Sequence, residues 1–120
     1  MKLMVVDDEP VVLRTMNRLL RRRGMGDCIL CSSGKEAMSR LESDTVNVVL
    51  LDLLMPEMDG LAVLEQAKPR HPHTEFIIIT ALDEVDQAVR ADRLGAYDYL
   101  VKPIDQQRML MTVERAYERL

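Results

Sequence analysis

The sequence is short of cysteine, of long apolar runs and of excess positive charge, and each shortage closes off a class of protein. Two cysteines in 120 residues, Cys28 and Cys31, cannot supply the disulfide framework of a small secreted domain. Their C-x-x-C spacing can serve redox or metal chemistry, but the segment around them reads as a short buried strand. Residues three apart on a strand point to opposite faces, so the expectation is two small buried residues whose thiols do not meet. The longest uncharged apolar stretches are Thr45 to Leu51 and Phe76 to Leu82, far below the ~20 residues that span a bilayer. The opening Met1 to Val6 runs into Asp7-Asp8-Glu9, which interrupts the roughly 7–15 apolar residues a signal segment requires. A cytoplasmic chain without a membrane segment is expected. Acidic residues outnumber basic ones, 20 to 16, for a net charge of −4, which speaks against binding a phosphate backbone. The run Arg21-Arg22-Arg23 is the local exception and reads as the basic end of a helix.

What is present fits one domain over residues 1–120, with 48% apolar and 30% charged residues, an ordinary globular balance. Short apolar runs occur at Leu3–Val6, Cys28–Cys31, Val46–Leu51, Phe76–Thr80 and Tyr99–Val101. Their lack of alternation suits strands buried on both faces. Helical spacing lies between them. Val12, Leu13, Met16, Leu19 and Leu20 form one stripe, with Pro10 in the first turn and Gly24 as the stop. Ser33-Gly-Lys-Glu36 is a capping box opening a helix that carries Ala37, Met38 and Leu41. A third helix follows Asp59-Gly60 and uses Leu61, Val63, Leu64 and Ala67 before Pro69. A fourth starts near Asp83, buries Val85, Ala88, Val89 and Leu94, and stops at Gly95. The fifth has Asp105 as its N-cap and the stripe Met109, Leu110, Val113, Ala116, Tyr117 and Leu120. Alternating strands and helices imply a doubly wound α/β sheet with five strands and five helices. Met16, Met38 and Met109 fall on core positions, so gap-filling is their expected role. His71 and His73 lie in a Pro-rich stretch with no third ligand nearby and read as a solvated loop.

In open α/β sheets, sites form beyond the carboxyl ends of the strands. Asp7 and Asp8 end the first strand, Asp52 the third, Thr80 the fourth and Lys102 the fifth. Each has a bland reading as a cap, turn residue or surface charge. Together they bring three carboxylates, a hydroxyl and an ammonium to one edge, where the carboxylates repel unless cations neutralise them. Lys102 is one such cation. A divalent ion is the other, with Mg2+ (or Mn2+) the natural choice for hard oxygen donors. This is equipment for phosphoryl transfer to an aspartate, which is mostly positioning and charge neutralisation.

The segments Val5-Val-Asp-Asp-Glu-Pro10, Val48 to Pro56 around Asp52, Met58-Asp-Gly60, Ile79-Thr80-Ala81 and Lys102-Pro103 resemble the receiver domain of two-component response regulators. The resemblance covers essentially the whole chain, and no motif position departs from it. It implies a flavodoxin-like sheet of strand order 2-1-3-4-5 and a phosphorylation-controlled switch rather than an enzyme with a separate substrate. By the same resemblance Asp52 is the phosphoacceptor. Asp7, Asp8, Asp52 and the backbone carbonyl of Leu54 hold the metal, and Thr80 and Lys102 contact the phosphoryl group. Pro103 follows a cis peptide bond, and Tyr99 is the switch aromatic. A sensor histidine kinase or phosphotransfer protein supplies the phosphoryl group. An output domain or partner reads the surface of helix 4, strand 5 and helix 5. The segment from Gly95 to Pro103 is similar to receivers of nitrogen-regulatory transcriptional activators.

Rival readings are weaker on the residues. A phosphatase of the haloacid dehalogenase type needs a second aspartate two positions after the first, where this chain has Leu54. A flavin carrier wants a Ser/Thr/Gly-rich phosphate loop after the first strand, where Asp-Asp-Glu-Pro repels phosphate. A receiver-like module that is never phosphorylated lacks an acidic or lysine position, and here all are present. Leu54 and Leu82, two residues beyond Asp52 and Thr80, are expected to tune the lifetime of the phosphorylated state. Mixed charges on helices 4 and 5 suit a homodimer. The ending inside an amphipathic helix favours a piece of a longer regulator.

Overall fold

The computed structural model describes residues 2–26 and 28–119, leaving aside the side chains of Leu82 and Val85. The uninterrupted apolar runs become strands β1 (Leu3–Val6), β2 (Cys28–Cys31), β3 (Val48–Asp52), β4 (Glu75–Thr80) and β5 (Asp98–Val101). They pair in parallel in the order β2-β1-β3-β4-β5. The intervening segments form α1 (Pro10–Arg22), α2 (Gly34–Ser43), α3 (Gly60–Ala67), α4 (Val85–Arg93) and α5 (Gln106–Glu118). This is the doubly wound sheet expected from the alternation of buried strands with amphipathic helices.

Strand geometry divides the core in two. Met4, Val6, Val49, Leu51, Phe76 and Ile78 face one side, packed with α2, α3 and Ala91 of α4. Leu3, Val5, Val48, Leu50, Ile77 and Ile79 face the other, under Leu13, Met16 and Leu20 of α1 and Met109 and Val113 of α5. Cys31 belongs to the first cluster and Cys28 to the second, so the two thiols are separated by the sheet. Met16 and Met109 are buried, and Met38 packs against the core from its edge.

The helix boundaries follow local chemistry. Pro10 opens α1, and Arg21 and Arg22 occupy its last turn before Gly24, whose φ of +71° suits a helix stop. Ser33 caps α2 by accepting from the Glu36 N–H at 3.1 Å. The reciprocal half of the capping box is displaced by one residue, because the Glu36 carboxylate accepts from the Ser32 hydroxyl and N–H. Asp59 and Asp105 accept from the N–H groups of Ala62 and Arg108, capping α3 and α5.

Several expectations need correction. Val46 and Asn47 precede β3, since the Val46 carbonyl is taken by the Thr74 hydroxyl at 2.8 Å instead of a ladder partner. A 3-10 turn over Leu82–Glu84 comes before α4. In α4, Ala88 and Ala91 face the core while Val89 is 53% exposed. Tyr117 is likewise exposed, lying beside the buried stripe of Met109, Leu110, Val113 and Ala116. Leu120, and the side chain of Val85, lie outside the described residues. His73 is exposed and His71 half-buried in the α3–β4 connection.

Candidate functional site

The strand order places β1 between β2 and β3, so the chain leaves β1 and β3 in opposite lateral directions. A crevice opens at such a switch point beyond the strand ends. Asp7 and Asp8 follow β1, and Asp52 ends β3. One carboxylate oxygen from each of the three lies within 4.8 Å of the others. Asp7 and Asp52 are buried while Asp8 is exposed.

Backbone turns orient both buried carboxylates. Asp7 Oδ1 accepts from the Glu9 N–H at 2.9 Å, and Asp52 Oδ1 accepts from the Leu54 N–H at 3.2 Å. Lys102, at the end of β5, sends its Nζ to 3.4 Å from Asp52 Oδ2 and 3.8 Å from Asp7 Oδ2. The peptide bond from Lys102 to Pro103 is cis, as expected. Asp7 Oδ2 is buried with no hydrogen-bond partner among the described residues. One ammonium therefore faces two buried carboxylates, with exposed Asp8 beside them.

The electrostatic result is carboxyls that hold their protons more tightly than usual. Burial, with the charges of Asp52 and Asp8 adding to it, pushes Asp7 up to about 6 against the Glu9 N–H and Lys102. Burial also raises Asp52, opposed by Lys102 and the Leu54 N–H. Among the described residues, Lys102 is the cation that Asp7 and Asp52 share. An orphaned buried oxygen among hard oxygen donors fits a divalent ion such as Mg2+.

Thr80 ends β4, fully buried beside the site's strands, with its hydroxyl donating to the backbone carbonyls of Ala81 and Glu84 at 3.2 Å. The structure thus gathers Asp7, Asp8, Asp52 and Lys102 at one edge, while the Thr80 hydroxyl is bonded to the backbone ahead of α4. Tyr99 is 40% exposed. Leu54 is exposed, and the Leu82 side chain lies outside the described residues. Two backbone positions shape the turn after Asp52. Gly60 lies so close beneath the β3–α3 turn that a Cβ there would strike the Asp52 carbonyl. Glu57 adopts a φ of +66°, the left-handed turn that leads the chain from Asp52 back to α3. The Met-Asp-Gly sequence pointed to the first, and nothing local pointed to the second.

Residues 3–114 match the family described as the response regulator receiver domain. The DNA-binding transcriptional regulator NtrC of Salmonella typhimurium is 44% identical over 112 residues, covering 93% of this chain and 24% of that protein. The transcriptional regulatory protein ZraR of the same organism is 38% identical over 114 residues, covering 95% of this chain and 26% of that protein. The chain thus spans about a quarter of the length of these relatives. Among solved structures, the receiver domain of NtrX from Brucella abortus superposes with a TM-score of 0.91 at 30% identity, covering 97% of this chain and 98% of that one. A receiver domain protein from Clostridium thermocellum gives 0.93 at 31% identity, covering 98% and 94%. Sheet order, the acidic crevice and these matches agree: the chain belongs to the response regulator receiver domain family of two-component signalling.

Proposed function

We propose that residues 1–120 act as one receiver domain that accepts a phosphoryl group on Asp52 and passes the change to a partner surface. The observation that carries this reading is the state of the Asp52 carboxylate. It is buried at the switch point, held by the Leu54 N–H on one oxygen and by Lys102 on the other, with Asp7 and Asp8 beside it. In the transfer, the donor's P–N or P–O bond breaks as a bond forms between phosphorus and an Asp52 oxygen, and the donor keeps the leaving electron pair. Mg2+ (or Mn2+), held by Asp7, Asp8, Asp52 and the Leu54 carbonyl, would neutralise charge on the transferring phosphoryl group. Lys102 orients the acceptor and bonds the new oxygens.

The product gains roughly −1.5 to −2 charges and three acceptor oxygens. Thr80 can donate to one of them by giving up its bond to the Glu84 carbonyl, which draws the β4–α4 connection toward the site. The withdrawal leaves room for exposed Tyr99 to turn inward and reshapes the α4/β5/α5 surface. A sensor histidine kinase or phosphotransfer protein is the donor, and an output domain or downstream partner reads the surface, in the cytoplasm. The chemistry is self-modification, without a separate substrate. Against the phosphatase alternative stands Leu54, which offers no acid where the second aspartate is required.

The test uses acetyl phosphate and Mg2+ with intact-mass spectrometry. Wild type gains one phosphoryl group and Asp52→Asn gains none. Equal labelling of the variant overturns the reading.

A further inference from the structure

Helices α3, α4 and α5 each follow the carboxyl end of a strand and finish at the opposite pole of the sheet, where their ends gather around one carboxylate. Glu75 opens β4, about 17 Å from Thr80 at the other end of the strand. Its side chain is buried, and its two oxygens are divided between two cations. Oε1 lies 3.3 Å from Lys68 Nζ, and Oε2 lies 3.6 Å from Arg119 Nε. Lys68 closes α3 and Arg119 closes α5. The phosphoryl chemistry at the strand ends uses none of the three.

The Lys68 half is saturated. An ammonium has three N–H donors, and Nζ directs them to the carbonyls of Pro72 at 3.2 Å and Thr74 at 2.8 Å and to Glu75. Its methylene stem lies along the end of α4, where Gly95 has a φ of +101° and a Cβ would come within 3.0 Å of Lys68 Cγ. The N–H groups of Gly95 and Ala96 turn back to the carbonyls of Asp92 and Ala91, closing that helix against the stem. The Arg119 half is looser. Arg119 is 67% exposed, and its guanidinium lies 5.5 Å from the centre of the Tyr97 ring, just ahead of β5. A buried and fully bonded pair holds its geometry, whereas an exposed one is weakened by water and salt.

We propose that Lys68, Glu75 and Arg119 form an anchor that pins the closing turns of α4 and α5 to the start of β4. A change at the strand ends then moves the start of α4 while the end of α5 stays in place. The proposal rests on Asp52 being the acceptor, since phosphorylation there is what draws the β4–α4 connection. The bond given up in that movement, from the Thr80 hydroxyl to the Glu84 carbonyl, lies at one end of α4. The anchor lies at the other, so a helix of nine residues, about 13 Å long, tilts about its held end. Without the charge on Glu75, Lys68 and Arg119 lose the group that joins them, and the ends of α4 and α5 follow the movement. The three are positioning residues, acting through the helices whose ends they hold.

The test compares amide hydrogen exchange in wild type, Glu75→Gln and Arg119→Gln, each with and without Mg2+ and beryllofluoride, a phosphoryl mimic. In wild type, beryllofluoride should change exchange at residues 81–87 and leave Gly95, Ala96 and Arg119 within about twofold. In Glu75→Gln it should speed exchange at all three positions about tenfold or more relative to amides of β1 and β3, and in Arg119→Gln at position 119 alone. Association of two chains slows exchange, so a dimer does not imitate this result. A network that only stabilises the fold would speed exchange equally with and without beryllofluoride. That outcome overturns the proposal, as does unchanged exchange in both variants. Arg119→Gln alters an exposed side chain and keeps the α5 half testable if Glu75→Gln does not fold. Acetyl phosphate should label Asp52 in both variants as in wild type, and labelling lost only in Arg119→Gln or in folded Glu75→Gln overturns the proposal. Wild type that responds at residues 81–87 and also at 95 and 96 overturns the anchor alone. Wild type that is neither labelled nor altered at residues 81–87 fails the acceptor reading, and the anchor falls with it.

Discussion

Asp7 is buried with one oxygen bonded to the Glu9 N–H and the other 3.8 Å from Lys102 Nζ. Its pKa lies near 6 instead of the ordinary 3.8, so from about pH 4 to 6 the folded protein holds this proton while the unfolded chain has released it. Metal-free stability therefore falls as pH rises through that window, and the cost persists above it, on the order of 2–3 kcal/mol. In EDTA, melting should occur at higher temperature at pH 5 than at pH 7.5, and Asp7→Asn should raise the pH 7.5 value and flatten the profile. Mg2+ should restore stability to wild type at pH 7.5 by about 1–3 kcal/mol at ten- to hundredfold excess over Kd. Asp8→Asn should blunt that response. A melting temperature that climbs from pH 5 to 7.5 without metal, or ignores Mg2+, would contradict the site. For Leu54 we propose a different role, in the lifetime of the phosphorylated state. Hydrolysis of an acyl phosphate on Asp52 needs a water in line with the bond that breaks. The side chains of Leu54, which is exposed, and of Leu82 can neither donate nor accept a hydrogen bond to hold that water. A phosphorylated state lasting minutes or longer is expected. Leu54→Asn should shorten it, and adding Leu82→Glu should shorten it further. Decay of the 32P label measures this, and a wild-type half-life of seconds would refute it. The site's members were legible because each ends an apolar run. The Thr80 bond to the Glu84 carbonyl was not, because it depends on the 3-10 turn before α4.

At the scale of elements, the start of α3 is where local sequence and site geometry meet. Asp59 caps the helix, and Gly60 lets it pack directly beneath the turn that carries Asp52. A Cβ at position 60 would strike the Asp52 carbonyl and come within 2.8 Å of the Leu53 Cα. Neither is the end of a flexible side chain, so the backbone itself must move. Gly60→Ala should cost about 2–4 kcal/mol in urea unfolding and slow Asp52 labelling. Unchanged stability would show that α3 can slide away without strain. Most elements could be read from their caps and apolar spacing, with α1 beginning at Pro10 as expected. Helix α4 was harder. Its spacing allows stripes through Val89 or through Ala91, and only packing against α3 and the sheet selects Ala88 and Ala91. The edge of β3 was misplaced at Val46 for a similar reason. That residue is as apolar as its neighbours, but its carbonyl bonds to Thr74, 28 positions away.

On the scale of the whole molecule, the charges of α4 and α5 are partly committed within the chain. Glu114 lies 3.7 Å from Arg23, and Arg119 lies 3.6 Å from Glu75 with its guanidinium over the Tyr97 ring. Arg90, Arg93, Arg108 and Arg115 share the α4, β5 and α5 segments with Asp92, Asp98 and Glu118 and with exposed Val89 and Met111. A reciprocal two-fold contact would pair these acids and bases and cover the apolar side chains. Light scattering should therefore show a larger mass with beryllofluoride, which mimics the phosphoryl group, and a monomer without it. The same monomer mass in both states would exclude this dimer. The sequence by itself determined the fold class and the residues at the strand ends, because burial on both faces demands continuous apolar runs and the first polar residue after each run must emerge at one edge. Only the tertiary structure decided how those residues share their charges. Residues distant along the chain meet through the strand order, which leaves one lysine for two buried carboxylates and commits Arg119 to a strand whose first residue is 44 positions earlier.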